Sequence, residues 1–232
     1  MFNILVAGIY LADRENSAAH IMSALASTKK NRVVQKWIAI SLSEENPQIL
    51  PHTTRMVQQA TPKFQLLDEL LQDVSAYDFV LLVDDDIEVG ADFLDHFLAA
   101  SQKMDLSLCQ PARTADSYID HYFVMRMPGI QGRTTRFVEI GPLVCVRRDA
   151  YPLIFPFGDV GMGWGLDFIW PKLIETAGLR MGIVDAVPVA HRLRKPVTHY
   201  RHPEADQQMQ NLLQSKPHLS RAEAFIVRDI FL

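Results

Sequence analysis

The sequence predicts an α/β protein: one domain with a mostly parallel central sheet and helices on both faces. Two observations lead to this prediction. Short apolar runs alternate with amphipathic segments along the first half of the chain, and that alternation is typical of parallel sheets covered by helices. Each apolar run is hydrophobic almost throughout, as expected for strands that are buried on both sides.

The first half contains predicted strands and helices in strict alternation. The strands cover residues 3–8, 32–41, 78–84 and 106–112, and the helices between them cover residues 13–27, 61–75 and 90–103. In the first helix, apolar side chains recur at helical spacing and predict the buried face. These side chains are Ala18, Ile21, Met22 and Leu25.

The second half is less regular. A strand pattern at residues 136–147 is followed by a glycine-rich loop at 157–165, a helix at 166–178 and a last core strand at 180–192. The C-terminal residues are expected to form two more helices. We therefore predict a single domain over residues 1–200 with a C-terminal helical extension over residues 201–232.

Composition excludes some classes of function. The chain has 232 residues and is 48% hydrophobic, which is enough apolar material for a core. Its net charge of −4 argues against a nucleic-acid partner. Its two cysteines, Cys109 and Cys145, lie in apolar runs and are expected to be buried free thiols. No apolar run is long enough to span a bilayer, and the first is expected to be a core strand. We therefore expect a cytoplasmic protein, and leave open peripheral membrane association and a homodimer.

Three aspartates, Asp84, Asp85 and Asp86, follow the apolar strand that ends near Val83. In open sheets of this type, ligands bind outside the carboxyl ends of the strands. Adjacent carboxylates repel one another, and a divalent cation removes the cost of bringing them together. We interpret the run as a metal-binding motif. The alternative is a solvated acidic turn that caps the next helix.

A histidine, His191, ends another apolar strand. Imidazole can complete a mixed oxygen and nitrogen shell around manganese or a similar ion. The cations that follow, Arg192, Arg194 and Lys195, suit a diphosphate held by that metal. The alternatives are a structural histidine and an ordinary basic loop.

The glycine-rich loop contains Trp164 between Gly163 and Gly165, and Asp167 follows it at the start of a helix. Glycines permit close approach of the backbone to a ligand. The indole is suited to stack on a sugar or a base, and the carboxylate to act as a general base. The alternatives are a core tryptophan and an aspartate that interacts with the helix dipole.

Together these three motifs resemble the nucleotide-sugar glycosyltransferases of the GT-A fold, a Rossmann-like domain. The aspartate run is similar to their D-x-D motif, and "GMGWGLD" resembles the G-W-G-x-E/D segment of inverting members such as the β-1,4-galactosyltransferases. The late His191 is similar to their second metal ligand. The galactosyltransferase segment has consecutive acids where Asp167 here stands alone before Phe168. The resemblance extends from the first strand to His191.

The resemblance implies a metal-dependent transfer of sugar from a nucleoside-diphosphate sugar to an acceptor hydroxyl, with inversion if Asp167 is the base and with retention as the alternative if it is not. Mn²⁺ or Mg²⁺ would be bound by Asp86 and His191, and Asp167 would be the catalytic base. The acceptor would be a glycan, a lipid-linked glycan or a small molecule. The residues expected to bind donor or acceptor are Tyr10, Asp84, Asp85, Arg133, Gly163, Trp164, Gly165, Arg192 and Arg194.

Two other functions compete with this hypothesis. A nucleotidyltransferase also uses aspartates at strand ends, but such enzymes carry a basic glycine-rich loop after the first strand, where this chain reads "AGIYLADREN". A non-catalytic carbohydrate- or partner-binding protein on the same scaffold is the second alternative. The presence of Asp86, Asp167 and His191 together argues against it.

Overall fold

A ten-stranded sheet forms the centre of the protein in a computed structural model that describes residues 1–43, 47–194 and 202–232. Its strands are β1 (Asn3–Leu11), β2 (Arg32–Ile40), β3 (Thr53–Val57), β4 (Phe79–Val83), β5 (Ile87–Glu88), β6 (Leu108–Arg113), β7 (Gly132–Thr135), β8 (Leu143–Arg147), β9 (Met181–His191) and β10 (Val227–Phe231). The helices are α1 (Ala18–Ala26), α2 (Lys63–Leu70), α3 (Phe93–Lys103), α4 (Tyr151–Ile154), α5 (Leu166–Thr176), α6 (His202–Ser215) and α7 (Arg221–Ala224).

The strand order is β10-β7-β9-β6-β8-β4-β1-β2-β3, and the short β5 pairs with the end of β9. Strand β1 runs parallel to β2 and β4, and β6 runs parallel to β9. Strand β8 lies between β4 and β6 and is antiparallel to both. Of the nine described strands in this order, only β7 and β8 run opposite to the others. This confirms the predicted α/β domain with a mostly parallel sheet.

The sheet separates two layers of apolar packing. Alternate residues of β1 and β4, such as Ile4 and Leu81, face α1 and α3, whereas Leu5 and Val80 face α2 and α5. This alternation follows from the two-residue period of a strand. The buried face of α1 consists of the four apolar residues expected from the sequence. Both cysteines are buried and free, as expected.

The structure differs from the sequence prediction at several strands. The strand expected at 136–147 begins only at Leu143, because residues 136–142 form a loop that contains Pro142, which has no N–H to donate to a ladder. Strands β3, β5 and β7 were not predicted. The C-terminal segment is not only helical, since β10 pairs with β7. Arg228 and Asp229 interrupt the apolar residues of this edge strand, so its sequence lacks an apolar run.

The proposed boundary at residues 200/201 lies outside the described residues. In the parts of the chain that the structure describes, no helix combines the length and the apolar character that a membrane crossing requires.

Candidate active site

A cleft of about 1260 Å³ opens at the carboxyl ends of the parallel strands. Tyr10 lines it near the end of β1, the aspartate run lines it after β4, and Arg113 and His191 line it at the ends of β6 and β9. The glycine-rich loop, α6 and the segment before α7 form the opposite wall. The fold thus brings together side chains that are far apart in sequence, at the edge where open sheets bind ligands.

Asp86 and His191 face each other in this cleft. Residue Ile87 of β5 pairs antiparallel with His191 of β9, which places the preceding Asp86 beside the imidazole. His191 Nε2 lies 3.2 Å from Asp86 Oδ2. Apart from this contact, Nε2 has no polar partner among the described residues, and the other carboxylate oxygen, Oδ1, is buried without one.

Charge explains the ionisation of Asp86. Burial by itself raises its carboxyl pKa, but the interaction with His191 and the positive charges of Arg194 and Lys63 bring the pKa below its ordinary value. An ionised carboxylate beside an imidazole nitrogen is a donor pair that fits a divalent cation. The described residues contain no group of three or more His, Cys, Asp or Glu side chains placed to hold a metal ion. A cation here would therefore need further ligands from a substrate or from water.

The other two aspartates have different partners. Asp84 forms an ion pair with Lys63, whose Nζ lies 2.6 Å from Asp84 Oδ1. Asp85 pairs with Arg194 and accepts a hydrogen bond of 2.7 Å from the backbone N–H of Leu11. Burial raises the pKa of Asp85 to about 6, against the opposing charge of Arg194. Asp85 thus ties the aspartate run to the end of β1.

The basic segment after His191 divides into two parts. Arg194 lines the cleft, binds Asp85 and lies 3.4 Å from Asp86 Oδ2. Arg192 does not line the cleft; it is exposed and pairs with Glu88 and Asp116. Lys195 lies outside the described residues. Of the two arginines, Arg194 is therefore the one placed to meet a ligand.

The glycine-rich loop is held by close packing. Gly163 has φ +81° and lies against Phe64, so that a side chain there would overlap the buried ring. Gly165 has φ +96° and caps the N-terminus of α5. Trp164, between them, is half-buried and lines the cleft. The two glycines thus determine where the indole lies.

We expect Gly163→Ala to destabilise the protein more than Gly158→Ala. Both glycines have positive φ, but the space around Gly158 is open. At either position, an alanine in this left-handed backbone conformation costs about 1–2 kcal/mol of stability. At Gly163, overlap of the new methyl group with the Phe64 ring adds about 1–3 kcal/mol. Urea unfolding followed by tryptophan fluorescence measures both variants, and equal losses would show that the loop does not pack on Phe64.

Asp167 lies in the first turn of α5 and lines the cleft. Its side chain is buried, and Oδ1 has no hydrogen-bond partner among the described residues. Burial raises the pKa of this carboxyl to about 6, although the nearby charge of His121 lowers it. Such a group is ionised at neutral pH and can accept a proton near pH 6, as a general base requires.

A buried network that was not predicted from the sequence lies next to Asp167. Arg113 Nη2 donates to Glu139 Oε2 at 2.9 Å, and Glu139 Oε1 lies 3.2 Å from His121 Nδ1. All three residues line the cleft, as do Lys63 and Asp120. The strand-end argument applied to Asp86 would have identified Arg113, which ends β6, but Glu139 and His121 lie in irregular segments that carry no such signal.

Two predicted binding residues serve mainly the fold. Tyr10 lines the cleft, but its hydroxyl lies 2.8 Å from Thr53 Oγ1 and accepts from the Leu50 N–H. Arg133 is not part of the cleft lining. It is buried in β7, where its Nε lies 3.6 Å from Asp185 Oδ2 and its guanidinium donates to backbone carbonyls. The fold therefore does not bring Arg133 to the cleft, because the guanidinium is paired with a buried carboxylate inside the sheet.

Comparison with known proteins gives structural relatives only. No protein-family profile and no curated protein sequence matches this chain. The structure of GalNAc-T7 with UDP, GalNAc and Mn²⁺ superposes on 92% of this chain with a TM-score of 0.59 and 10% sequence identity. That of S. aureus TarS (residues 1–349) in complex with UDP-GlcNAc superposes on 90% with a TM-score of 0.56 and 10% identity.

This chain spans 48% of the GalNAc-T7 chain and 65% of the TarS chain. At such low identity the likeness concerns the fold. The protein therefore has the GT-A fold, with its cleft at the carboxyl ends of the parallel strands.

Proposed function

We propose that this protein is a glycosyltransferase, which moves a sugar from a nucleoside-diphosphate sugar to an acceptor hydroxyl and depends on Mn²⁺ or Mg²⁺. The observation that carries this proposal is a set of buried polar atoms that line one cleft and lack partners among the described residues. They are Asp86 Oδ1, Arg113 Nη1 and Asp167 Oδ1. Beside them lies His191 Nε2, whose neighbour is the Asp86 carboxylate. Burying such atoms without partners is costly, so a polar ligand that satisfies them would bind favourably.

Asp86 and His191 are the residues that would hold the cation. A carboxylate oxygen and an imidazole nitrogen suit Mn²⁺, and two protein ligands leave positions for phosphate oxygens. When bound, the cation would neutralise the charge of the departing nucleoside diphosphate. Arg194 and Lys63, which already lie beside the aspartates, add positive charge for the same phosphates.

Asp167 is proposed as the base that takes the proton of the acceptor hydroxyl. Its carboxylate is anchored in the first turn of α5, so it holds a fixed position in the cleft. One direct displacement at the anomeric carbon would invert that centre. Trp164 would form one wall of the sugar or acceptor site.

UDP-linked sugars are the first donors to test, because the two structural relatives were solved with UDP or UDP-GlcNAc. The experiment measures release of the nucleoside diphosphate from a panel of nucleotide sugars, with Mn²⁺, Mg²⁺ or a chelator. We expect hydrolysis of at least one donor, abolished by chelation. Protein that binds no nucleotide sugar under any condition would contradict the proposal, as would transfer of a nucleotidyl group to a sugar phosphate.

The stereochemistry is tested separately. Proton NMR of the product formed with an accepted acceptor gives the anomeric configuration of the new linkage. Inversion relative to the donor is expected. Retention would contradict the role of Asp167 as base but not the transferase itself.

A further inference from the structure

The side chain of His121 lines the cleft and is held from behind by a buried carboxylate. Its Nδ1 contacts Glu139, and Glu139 is held from the other side by Arg113 and by a hydrogen bond of its own N–H to Gln110 Oε1 at 2.5 Å. Arg113 is 2% exposed and Glu139 is 8% exposed. A carboxylate held so tightly can orient an imidazole and select its charged form.

Aromatic packing links His121 to the helix that carries Asp167. The imidazole lies 5.0 Å from the ring of Phe137 and 5.5 Å from that of Phe225. Both rings also pack on Phe168, at 5.9 and 6.5 Å. Since Phe168 directly follows Asp167 on the first turn of α5, one apolar cluster fixes both the imidazole and the carboxylate at the cleft.

The charges of the two groups influence each other. Burial alone would lower the pKa of His121, but Glu139, Asp167 and Asp120 raise it above its ordinary value. In return, the His121 charge opposes the rise that burial imposes on the pKa of Asp167. The further titratable or basic side chains of the described residues that line this wall of the cleft are Arg113, Asp206, His218 and Arg221.

We propose that His121, held by Glu139 and Arg113, is a positioning residue whose place beside the cleft keeps the Asp167 carboxylate ionised for the reaction. This inference rests on the proposed role of Asp167 as the base. Without the imidazolium, a buried carboxylate with an unpartnered oxygen would take up a proton from solvent before an acceptor arrives. With it, the carboxylate remains charged at neutral pH and accepts the proton of the acceptor hydroxyl.

The test begins with a measurement that needs no substrate. Carbon-13 NMR follows the titration of the Asp167 carboxyl, whose signal is identified by its absence in Asp167→Asn. Two variants remove the imidazole: His121→Phe keeps an aromatic ring, and His121→Gln keeps a donor toward Glu139. In both, the titration midpoint of the Asp167 carboxyl should rise by about one pH unit. In the control His96→Gln, on the exposed face of α3, it should not move. An unchanged midpoint in both His121 variants would overturn the inference.

A reciprocal measurement covers the case in which the His121 variants fold poorly. Coupling between two sites is equal in both directions. The titration midpoint of the His121 ring should therefore fall in Asp167→Asn by as much as the Asp167 midpoint rises when His121 is replaced. If the titration midpoint of the His121 ring is unchanged in Asp167→Asn, the inference is also overturned.

The catalytic consequence is measured by the pH dependence of kcat/KM. The acidic limb of this profile, where Asp167 gains a proton, should move to higher pH in His121→Gln. A limb that stays in place would overturn the proposed role even if the NMR midpoints move. Absence of transfer with every donor would instead reject the proposed function, and the NMR midpoints would still decide whether His121 controls the charge of Asp167.

Discussion

Asp167→Asn is expected to lower kcat by about 10²–10⁴-fold, the usual contribution of a general base. The substitution keeps the size of the side chain but removes its ability to accept the acceptor proton. Because the donor phosphates are proposed to bind at the Asp86–His191 pair and not at Asp167, affinity for the donor should be nearly unchanged. Initial rates over a range of donor concentrations, with nucleotide binding measured by calorimetry, separate the two quantities.

The matched control is Asp159→Asn. Asp159 is an exposed aspartate in the same glycine-rich loop, so its substitution removes an equal charge without touching the cleft. Near-normal turnover in Asp167→Asn would contradict the proposed base. In that case Asp167 would serve the N-terminus of α5, and the variant would lose stability rather than activity.

Asp86→Ala and His191→Ala are each expected to weaken metal-dependent nucleotide binding by more than about 100-fold, since even the outer partners of metal ligands contribute 10–100-fold. Each variant removes one of the two protein atoms that face the cation position. Calorimetric titration of UDP with and without Mn²⁺ measures the effect. Binding without the metal should change little, because the loss is specific to the cation.

The double variant makes this test sharper. If both residues act through one ion, the second substitution should add little to the first, and the two free-energy losses will not sum. Fully additive losses would contradict a shared ion. Glu88→Gln is the control, since Glu88 lies two residues after Asp86, is exposed and contacts Arg192.

The sequence by itself determined the frame of the protein. The alternation of apolar runs and amphipathic segments predicted the α/β order, and the side chains of α1 that repeat at helical spacing are the ones buried. These features are local: a strand buried on both faces must be apolar throughout, and a helix on a sheet must bury one stripe. The same logic placed Asp84, Asp85, Asp86 and His191 at strand ends.

The local sequence pattern could not show which side chains contact each other in the cleft. Asp86 meets His191 because the two-residue strand β5 pairs with the end of β9, a contact across more than a hundred residues that leaves no periodic signal. Arg133 and Arg113 look alike in the sequence. Tertiary pairing buries Arg133 against Asp185 inside the sheet and brings Arg113 to the cleft beside Glu139.

The environment of Asp167 was also decided by the tertiary structure. Its place at the start of a helix was predictable, but its raised pKa depends on burial and on His121 and Glu139, which two irregular segments bring to it. Desolvation and charge act through space, so the ionisation of a carboxylate depends on neighbours that only the folded chain assembles. The sequence thus determined which residue types end each strand, whereas the packing of distant segments determined which of them share a cleft.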